Sequence, residues 1–483
     1  MKPKAAVFLI CCGCLSLALA QSNAKSDSTQ RLIKLSVAAT NEKGDPVANL
    51  TGADIQLRED GKPRGVVFFR FAGSPRGIAP AAPGEFVNRP ARQPILILLD
   101  RWNERMMAMA NAWQNISTAL AHMESVEGVY IYLLTARGDL LPVHSLPEPD
   151  ADLRLPNAPP PAQLVASLND AIRTTQGFRD VDAMDPAIRA NTTFQTLDML
   201  SSRMAAIAGR KDLIWVSHGF PFTYRLLSGQ LGDFSVPIRD LSNTAAQSQV
   251  VIYTVQQSVE GAADDPINEG RQTLQRFSSL TGGRLTASGT SEAAVASAVA
   301  DARGSYRLAY YSPLRESGGK EHKIRLDSVR KGVRLLTREC HFGAEPDPDP
   351  DRMADDAFSR QNHCPFDASE ILLRVTASRR PERANLHLDI RVDPADILVE
   401  RHGESFQANL TIGFSFYRNG VFGRAQPSVH KDLNFTQEQW NGVQKDGIVI
   451  PQDVTAGDEL QQVRVMVFDR RLLALGSVTV PAK

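Results

Sequence analysis

The chain has 483 residues, 42% of them hydrophobic, with 54 lysine and arginine residues against 54 aspartate and glutamate. That length corresponds to about three domains, at roughly 100–200 residues each. The balanced charge gives no reason to expect nucleic acid or an acidic membrane surface as partner, and the apolar content is enough for ordinary cores.

The N-terminus carries Lys2 and Lys4, then an apolar run from Ala5 to Ala20 ending Ala18-Leu19-Ala20. A short basic region, a hydrophobic stretch and a small-x-small site read as a signal peptide over residues 1–20. A lipoprotein signal at Cys12 or Cys14 is the alternative, though the preceding residues fit it poorly. The run is shorter than the ~20 residues needed to span a bilayer, and no later segment is long and apolar enough. The mature protein is therefore expected to be soluble, secreted or periplasmic. Of five cysteines, Cys11, Cys12 and Cys14 leave with the signal, and Cys340 and Cys364 remain. An oxidising compartment permits a disulfide between them, clamping the segment they flank; two free thiols are the alternative.

Residues 31–92 form an N-terminal β region. Ile33, Leu35, Val37 and Ala39 alternate with polar or small residues, and Asp60-Gly61 between two apolar runs signals a hairpin. The stretch "GSPRGIAPAAPGEFVNRPARQP" reads as a linker. Residues 93–304 alternate strand and helix. Strands are expected at 95–99, 129–134, 213–217 and 250–255, with a weaker one near 284–286. These are short, nearly continuous apolar runs, as buried parallel strands should be. Trp102, Met106, Met109, Trp113, Ile116, Leu120 and Met123 recur at helical steps, as do Phe194, Leu197, Leu200, Met204 and Ile207. The pattern predicts an α/β fold with a mostly parallel sheet covered on both faces. Residues 305–340 return to strands and are expected to join 31–92 in one β unit. Residues 341–364, with "EPDPDPD", read as an extended acidic linker. Residues 365–483 alternate with period two, predicting an antiparallel β-sandwich.

Four stretches carry a family resemblance: "VANLTGADIQLREDGKPRGVVFF", "PILILLD", "GRKDLIWVSHGFP" and "YRLAYYSPLRESGGKEHKIRL". On these, the middle segment resembles a von Willebrand factor A domain, and residues 30–340 resemble bacterial VWFA-related secreted proteins of the acidobacterial type. "PFDASEILLRVTAS" and "ANLHLDIRVDPADILVE" are similar to the tails of some members. The resemblance implies a doubly wound sheet flanked by helices and a role in binding. It also implies a metal-ion-dependent adhesion site (MIDAS) at the carboxyl ends of the strands.

Mapped onto this sequence, Asp100 matches the first acid of the Asp-x-Ser-x-Ser motif. Trp102 and Glu104 occupy the two serine positions. Thr192 or Thr193 matches the threonine, and His218 stands where an Asp is usual. Mg²⁺ demands close, near-octahedral oxygen ligation. Trp102 offers no ligand, and the nitrogen of His218 suits Zn²⁺ or Cu²⁺ better. The site therefore reads as degenerate and metal-free, with no cofactor. Plainer roles are available too: Trp102 as core packing, Glu104 as a first-turn acid, Asp100 as a helix cap, His218-Gly219 as a strand-to-loop transition. "WVSHG" lacks the first Gly of a nucleophile elbow, and no zinc-protease or phosphate-loop motif occurs.

The reading is a non-enzymatic extracytoplasmic protein-binding module. Its candidate interaction face is Asp100, Trp102, Glu104, Thr192, Thr193 and His218, and its partner a protein or cell-envelope component rather than nucleic acid. A Mg²⁺- or Ca²⁺-dependent adhesin, a hydrolase using Ser217 and a purely structural envelope protein are the rivals.

Overall fold

The structure is a computed structural model. It describes residues 30–72, 81–88, 93–104, 109–123, 126–148, 153, 158–175, 184–225, 229–256, 267–286, 291–313, 319–342, 349–379, 385–455 and 461–482. The signal segment 1–20 and Met106 lie outside the described residues, as do the side chains of Met109 and Trp113.

The central unit is built on a six-stranded sheet. From edge to edge its strands are Leu285–Thr286, Val250–Gln256, Lys211–Ser217, Ile95–Asp100, Val129–Leu134 and Leu140–His144. Neighbours run parallel except the last pair, which is antiparallel. Alternate residues point to opposite faces, and both faces are dry. Ile97, Leu99, Ile131, Leu133, Ile214 and Val216 pack against Ile116, Leu168 and Val295 of the helices Met109–Ala121, Pro161–Thr174 and Ser291–Arg303. Leu96, Leu98, Tyr132, Leu213, Trp215 and Ile252 pack against Leu197, Ile238 and Phe277 of the helices Pro186–Met204, Ser235–Gln247 and Ile267–Thr281. This two-sided burial is why the strands read as unbroken apolar runs. The first strand of the unit lies inside the sheet, and later strands depart from it in both directions. The order therefore reverses between Ile95–Asp100 and Lys211–Ser217, whose carboxyl ends are Asp100 and Ser217.

The segments before and after this unit pair with each other. Gln30–Asn41 lies antiparallel to Ser305–Pro313 and Val333–Leu336, Val66–Phe71 pairs with Ser305–Pro313, and Ile55–Glu59 pairs with Glu321–Ser328. Leu35, Val37, Leu57, Tyr306, Tyr310 and Ile324 form their shared core. Asp60 and Gly61, at φ 49° and 78°, make the hairpin turn that "DG" signals. A buried Arg210 joins this unit to the central sheet. It donates to Asp212 at 2.9 Å, to the Tyr253 hydroxyl at 2.7 Å and to Ser36 Oγ at 2.7 Å.

The C-terminal region is two antiparallel sheets around a shared core that includes Val375, Leu388, Ile390, Phe414, Phe416 and Val465. Two segments read as linkers contribute to it. Glu85–Val87 pairs with Arg374–Thr376, and Glu85 accepts from Arg374 Nη1 at 2.8 Å. Its Pro- and Gly-rich surroundings hid a strand too short to show a period. Within 341–364, residues 343–348 lie outside the described residues, and the part read as extended over Pro350–Asn362 is instead a helix. Asp349 caps it by accepting from Asp351 N at 3.0 Å, and Pro350 takes the first helical position. Ala354 and Phe358 anchor it against Met466 and Phe468 on the outside of the sandwich. The last Asp-Pro of the acidic repeat, Asp349-Pro350, is an ordinary helix start.

Of the two states the sequence left open for Cys340 and Cys364, a disulfide or two thiols, the structure has the second: both are free and buried. Cys340 sits on the strand Cys340–Phe342 beside Arg276 and Glu321, whereas Cys364 follows the 350–362 helix beside Lys211 and Asp367. Burial pushes the Cys340 thiol up to about 12 and raises that of Cys364. Since the thiolate is the reactive form, neither should be alkylated in the native protein, and both should react once denatured. Peptide mapping that joins Cys340 to Cys364 would contradict this.

Among the described residues, five strands at sheet edges carry proline: Lys62–Arg64 (Pro63), Leu140–His144 (Pro142), Val421–Phe435 (Pro427), Ile448–Thr455 (Pro451) and Ala474–Pro481 (Pro481). Proline removes a ladder donor and blunts these edges against added strands.

Candidate functional site

The switch point is organised by one carboxylate. Asp100 ends its strand 4% exposed. Its Oδ1 accepts from the Asn103 backbone N–H at 3.0 Å. Its Oδ2 accepts from Asn103 Nδ2 at 2.8 Å, Trp215 Nε1 at 3.0 Å and Ser217 Oγ at 2.7 Å. Ser217 Oγ in turn accepts from the Gly219 N–H at 2.8 Å. The strand end is thus tied to the 101–104 turn on one side and to the 211–217 strand on the other. Asp100 caps no helix: the nearest described helix begins at Met109, and the carboxylate closes the tight turn to Asn103 instead.

A second layer comes from the 186–204 helix. Thr193, fully buried, accepts from Asn103 Nδ2 at 2.8 Å and donates to the Arg189 carbonyl at 2.9 Å. Trp102 Nε1 donates to the same carbonyl at 3.2 Å. Arg189 reaches Asn103 Oδ1 at 3.3 Å and the Gly219 carbonyl at 3.0 Å. The Trp102 ring packs beside Gly138 and Thr192. A Cβ on Gly138 would lie 3.3 Å from that ring and 3.4 Å from the Thr192 methyl. Trp102 lies in a turn rather than on a helix, so it does not start the stripe that Ile116 and Leu120 continue.

Backbone closeness completes the floor. Gly219, at φ 72°, lies against Gly270 of the 267–281 helix. A Cβ built on Gly270 would stand 1.9 Å from the His218 carbonyl oxygen. His218 itself is 7% exposed.

Glu104 is 7% exposed and is not a first-turn helix acid. Burial raises its carboxyl to about 8, with a contribution from Asp100. Arg101 opposes the shift, but its Nε stands 3.8 Å away, beyond hydrogen-bond reach. The folded state therefore holds this proton between pH 4.5 and about 8 while the unfolded chain has lost it. Stability that is complete below pH 4.5 falls as pH rises through that window. Glu104→Gln should remove this slope and leave the protein more stable at pH 9, by on the order of 3–5 kcal/mol. Urea titrations at pH 5 and pH 9 measure it; equal pH slopes in the two proteins would refute it.

Of the six residues expected to form an interaction face, Asp100, Trp102, Glu104, Thr193 and His218 are buried and only Thr192 is half-buried. They are brought together, but as the support of a face and not its surface, because the carboxylate and indole are consumed by internal bonds. Asn103, Arg189 and Trp215, which complete the network, were not anticipated. Only the Asp-x-x-Asn spacing carried a local signal, that of a side-chain-closed turn. Among the described residues, no group of three or more His, Cys, Asp or Glu side chains is placed to hold a metal ion. No helix among them is long and apolar enough to cross a membrane.

No family model and no curated relative matches the chain. Among solved structures, it is similar to an aerotolerance-related membrane protein from Bacteroides fragilis NCTC 9343. The TM-score is 0.28 and the identity 12%, over 44% of this chain and 98% of that one. It is also similar to SpaC, a pilus adhesin from Lactobacillus rhamnosus GG, with TM-score 0.28 and 9% identity, over 90% of this chain and 58% of that one.

Proposed function

We propose that residues 93–304 are a doubly wound, von Willebrand A-type unit that binds a protein of the cell envelope, outside the cytoplasm, without a metal ion and without catalysis. The observation that carries this reading is the Asp100 carboxylate. Its two oxygens already accept from Asn103 N, Asn103 Nδ2, Trp215 Nε1 and Ser217 Oγ. Donor hydrogens point where a hard cation would need lone pairs. The same bonds bury Ser217 and commit its hydroxyl, which disfavours the hydrolase reading. Ligands of open α/β sheets bind at the loops beyond the carboxyl ends of the strands, which makes those loops the docking region. Ile188, 57% exposed on the turn of helix that carries Arg189, lies at its rim.

Calorimetric titration with Mg²⁺ and Mn²⁺ tests the metal-free part: no stoichiometric heat is expected. Crosslinking to envelope proteins in EDTA, with Ile188→Asp as control, tests the binding part. Saturable capture that EDTA spares and Ile188→Asp weakens supports the reading. Stoichiometric Mg²⁺ binding lost in Asp100→Ala would instead establish the adhesin.

A further inference from the structure

We propose a binding site for a late divalent metal ion, of the nickel or zinc class, in the N-terminal β unit, on the facing imidazoles of His322 and His341. It is separate from the switch point and independent of the reading given for it. The strand Glu321–Ser328 runs antiparallel to the edge strand Cys340–Phe342, and His322 stands directly opposite His341. Their ring centres are 5.1 Å apart and their planes differ by 19°. A carboxylate holds one nitrogen of each ring. His322 Nδ1 donates to Asp60 Oδ2 at 2.8 Å, and His341 Nε2 donates to Glu59 Oε1 at 2.7 Å. Both carboxylates are pinned in turn. Glu59 also accepts from Arg64 Nε at 2.8 Å and the Tyr310 hydroxyl at 3.1 Å, and Asp60 from the Lys323 N–H at 2.9 Å. An ionised carboxylate only accepts, so these bonds fix the tautomers. The lone pairs of the neutral rings fall on His322 Nε2 and His341 Nδ1, which have no hydrogen-bond partner among the described residues.

This is how a metal-binding imidazole is prepared: its other ring N–H is held by a carboxylate, which orients the ring and raises its basicity. The 1,3 placement of the ring nitrogens turns each lone pair away from its carboxylate. Glu59 and Asp60 are consecutive and the rings nearly parallel, so the two lone pairs project from the same side. Two imidazoles bound to one tetrahedral ion through ~2.1 Å bonds have ring centres ~5 Å apart. The observed spacing already meets that. Charge does not make the site, because Arg64 offsets Glu59 and Arg338 is a further cation near His341. Neutral nitrogen donors do, and they select Ni²⁺, Cu²⁺ or Zn²⁺ over Mg²⁺ and Ca²⁺. The protein supplies two ligands, and water completes the coordination. The His322 and His341 side chains are 15% and 7% exposed, which puts the pair at the rim of the β unit, within reach of an ion from solvent. An ion bridging them would staple a three-residue edge strand to its neighbour.

The test is calorimetric titration of the untagged, EDTA-stripped full chain with Ni²⁺ and with Zn²⁺ at neutral pH, beside Mg²⁺. Ni²⁺ and Zn²⁺ should each bind once per chain, and Mg²⁺ should not. His322→Gln should abolish the binding. Asp60→Asn should weaken it about ten-fold, the low end of the loss on removing an outer-shell partner. Asp60 is 43% exposed in its side chain and sits at φ 49°, a conformation asparagine accepts, and His322 lies at the rim, so both variants should fold. Ni²⁺ should also raise the thermal midpoint of the unsubstituted chain and leave that of His322→Gln unchanged. Absence of Ni²⁺ and Zn²⁺ binding, or stoichiometric binding that His322→Gln leaves intact, would overturn the proposal.

Discussion

Asp100→Ala should destabilise the central unit by about 3–5 kcal/mol, the range for breaking a buried, hydrogen-bonded charge network. The substitution leaves the Trp215 indole N–H, on a fully buried ring, with no acceptor, and frees the 101–104 turn from the strand end. An orphaned buried donor costs about 1–3 kcal/mol. Ser217 loses one bond and Asn103 two, one of them from its backbone N–H, while Ser217 keeps Gly219 and Asn103 keeps Thr193. Asp100→Asn should cost less, because an amide keeps one accepting oxygen while turning its NH₂ toward donors. The measurement is the urea midpoint of the purified variants in EDTA. A loss below about 1 kcal/mol would show that the carboxylate is not the structural centre of the switch point. A ligand to a bound cation makes the opposite prediction, with little change in EDTA and a large one in Mg²⁺.

Gly270→Ala should be worse still, preventing folding or costing more than about 4 kcal/mol. Alanine normally stabilises a helix interior by about 1 kcal/mol relative to glycine, so the expected sign is reversed. The reason is the 1.9 Å between the new Cβ and the His218 carbonyl oxygen, which sits on backbone and has no side-chain rotation to relieve it. Relief would require the 267–281 helix to move off the sheet, opening the cluster of Leu274, Phe277 and Trp215. Gly442→Ala is the matched control. It lies in the helix Gln437–Asp446, and a Cβ there meets nothing within 4 Å. It should be neutral or stabilising. Comparable thermal midpoints for the two variants would refute the close-packing account.

Both predictions concern contacts that no local pattern announces. Asp100 was identifiable as an acid at a strand end, since five apolar residues precede it. Its partners Trp215 and Ser217 lie 115 and 117 residues away. Gly270 sits in an unremarkable stretch, and its meaning comes from where the loop after Ser217 passes. The buried state of Glu104 was equally hidden, because an acid just past a strand end reads as a first-turn helix acid.

The sequence by itself determined the central buried strands and the helices whose apolar spacing is strongest. Continuous apolar runs marked Ile95–Asp100, Val129–Leu134, Lys211–Ser217 and Val250–Gln256, and three-four spacing marked Pro186–Met204. These signals are legible because a face that must be dry imposes its period on neighbouring residues. Tertiary structure alone decided three things. It placed Glu85–Val87 and the 350–362 helix in the C-terminal region, left Cys340 and Cys364 as free thiols, and turned the expected interaction face into a buried hydrogen-bond network. Each depends on which distant backbone or side chain arrives at a given point. A short-range pattern carries no information about that, because the partner's position is set by the packing of the whole sheet.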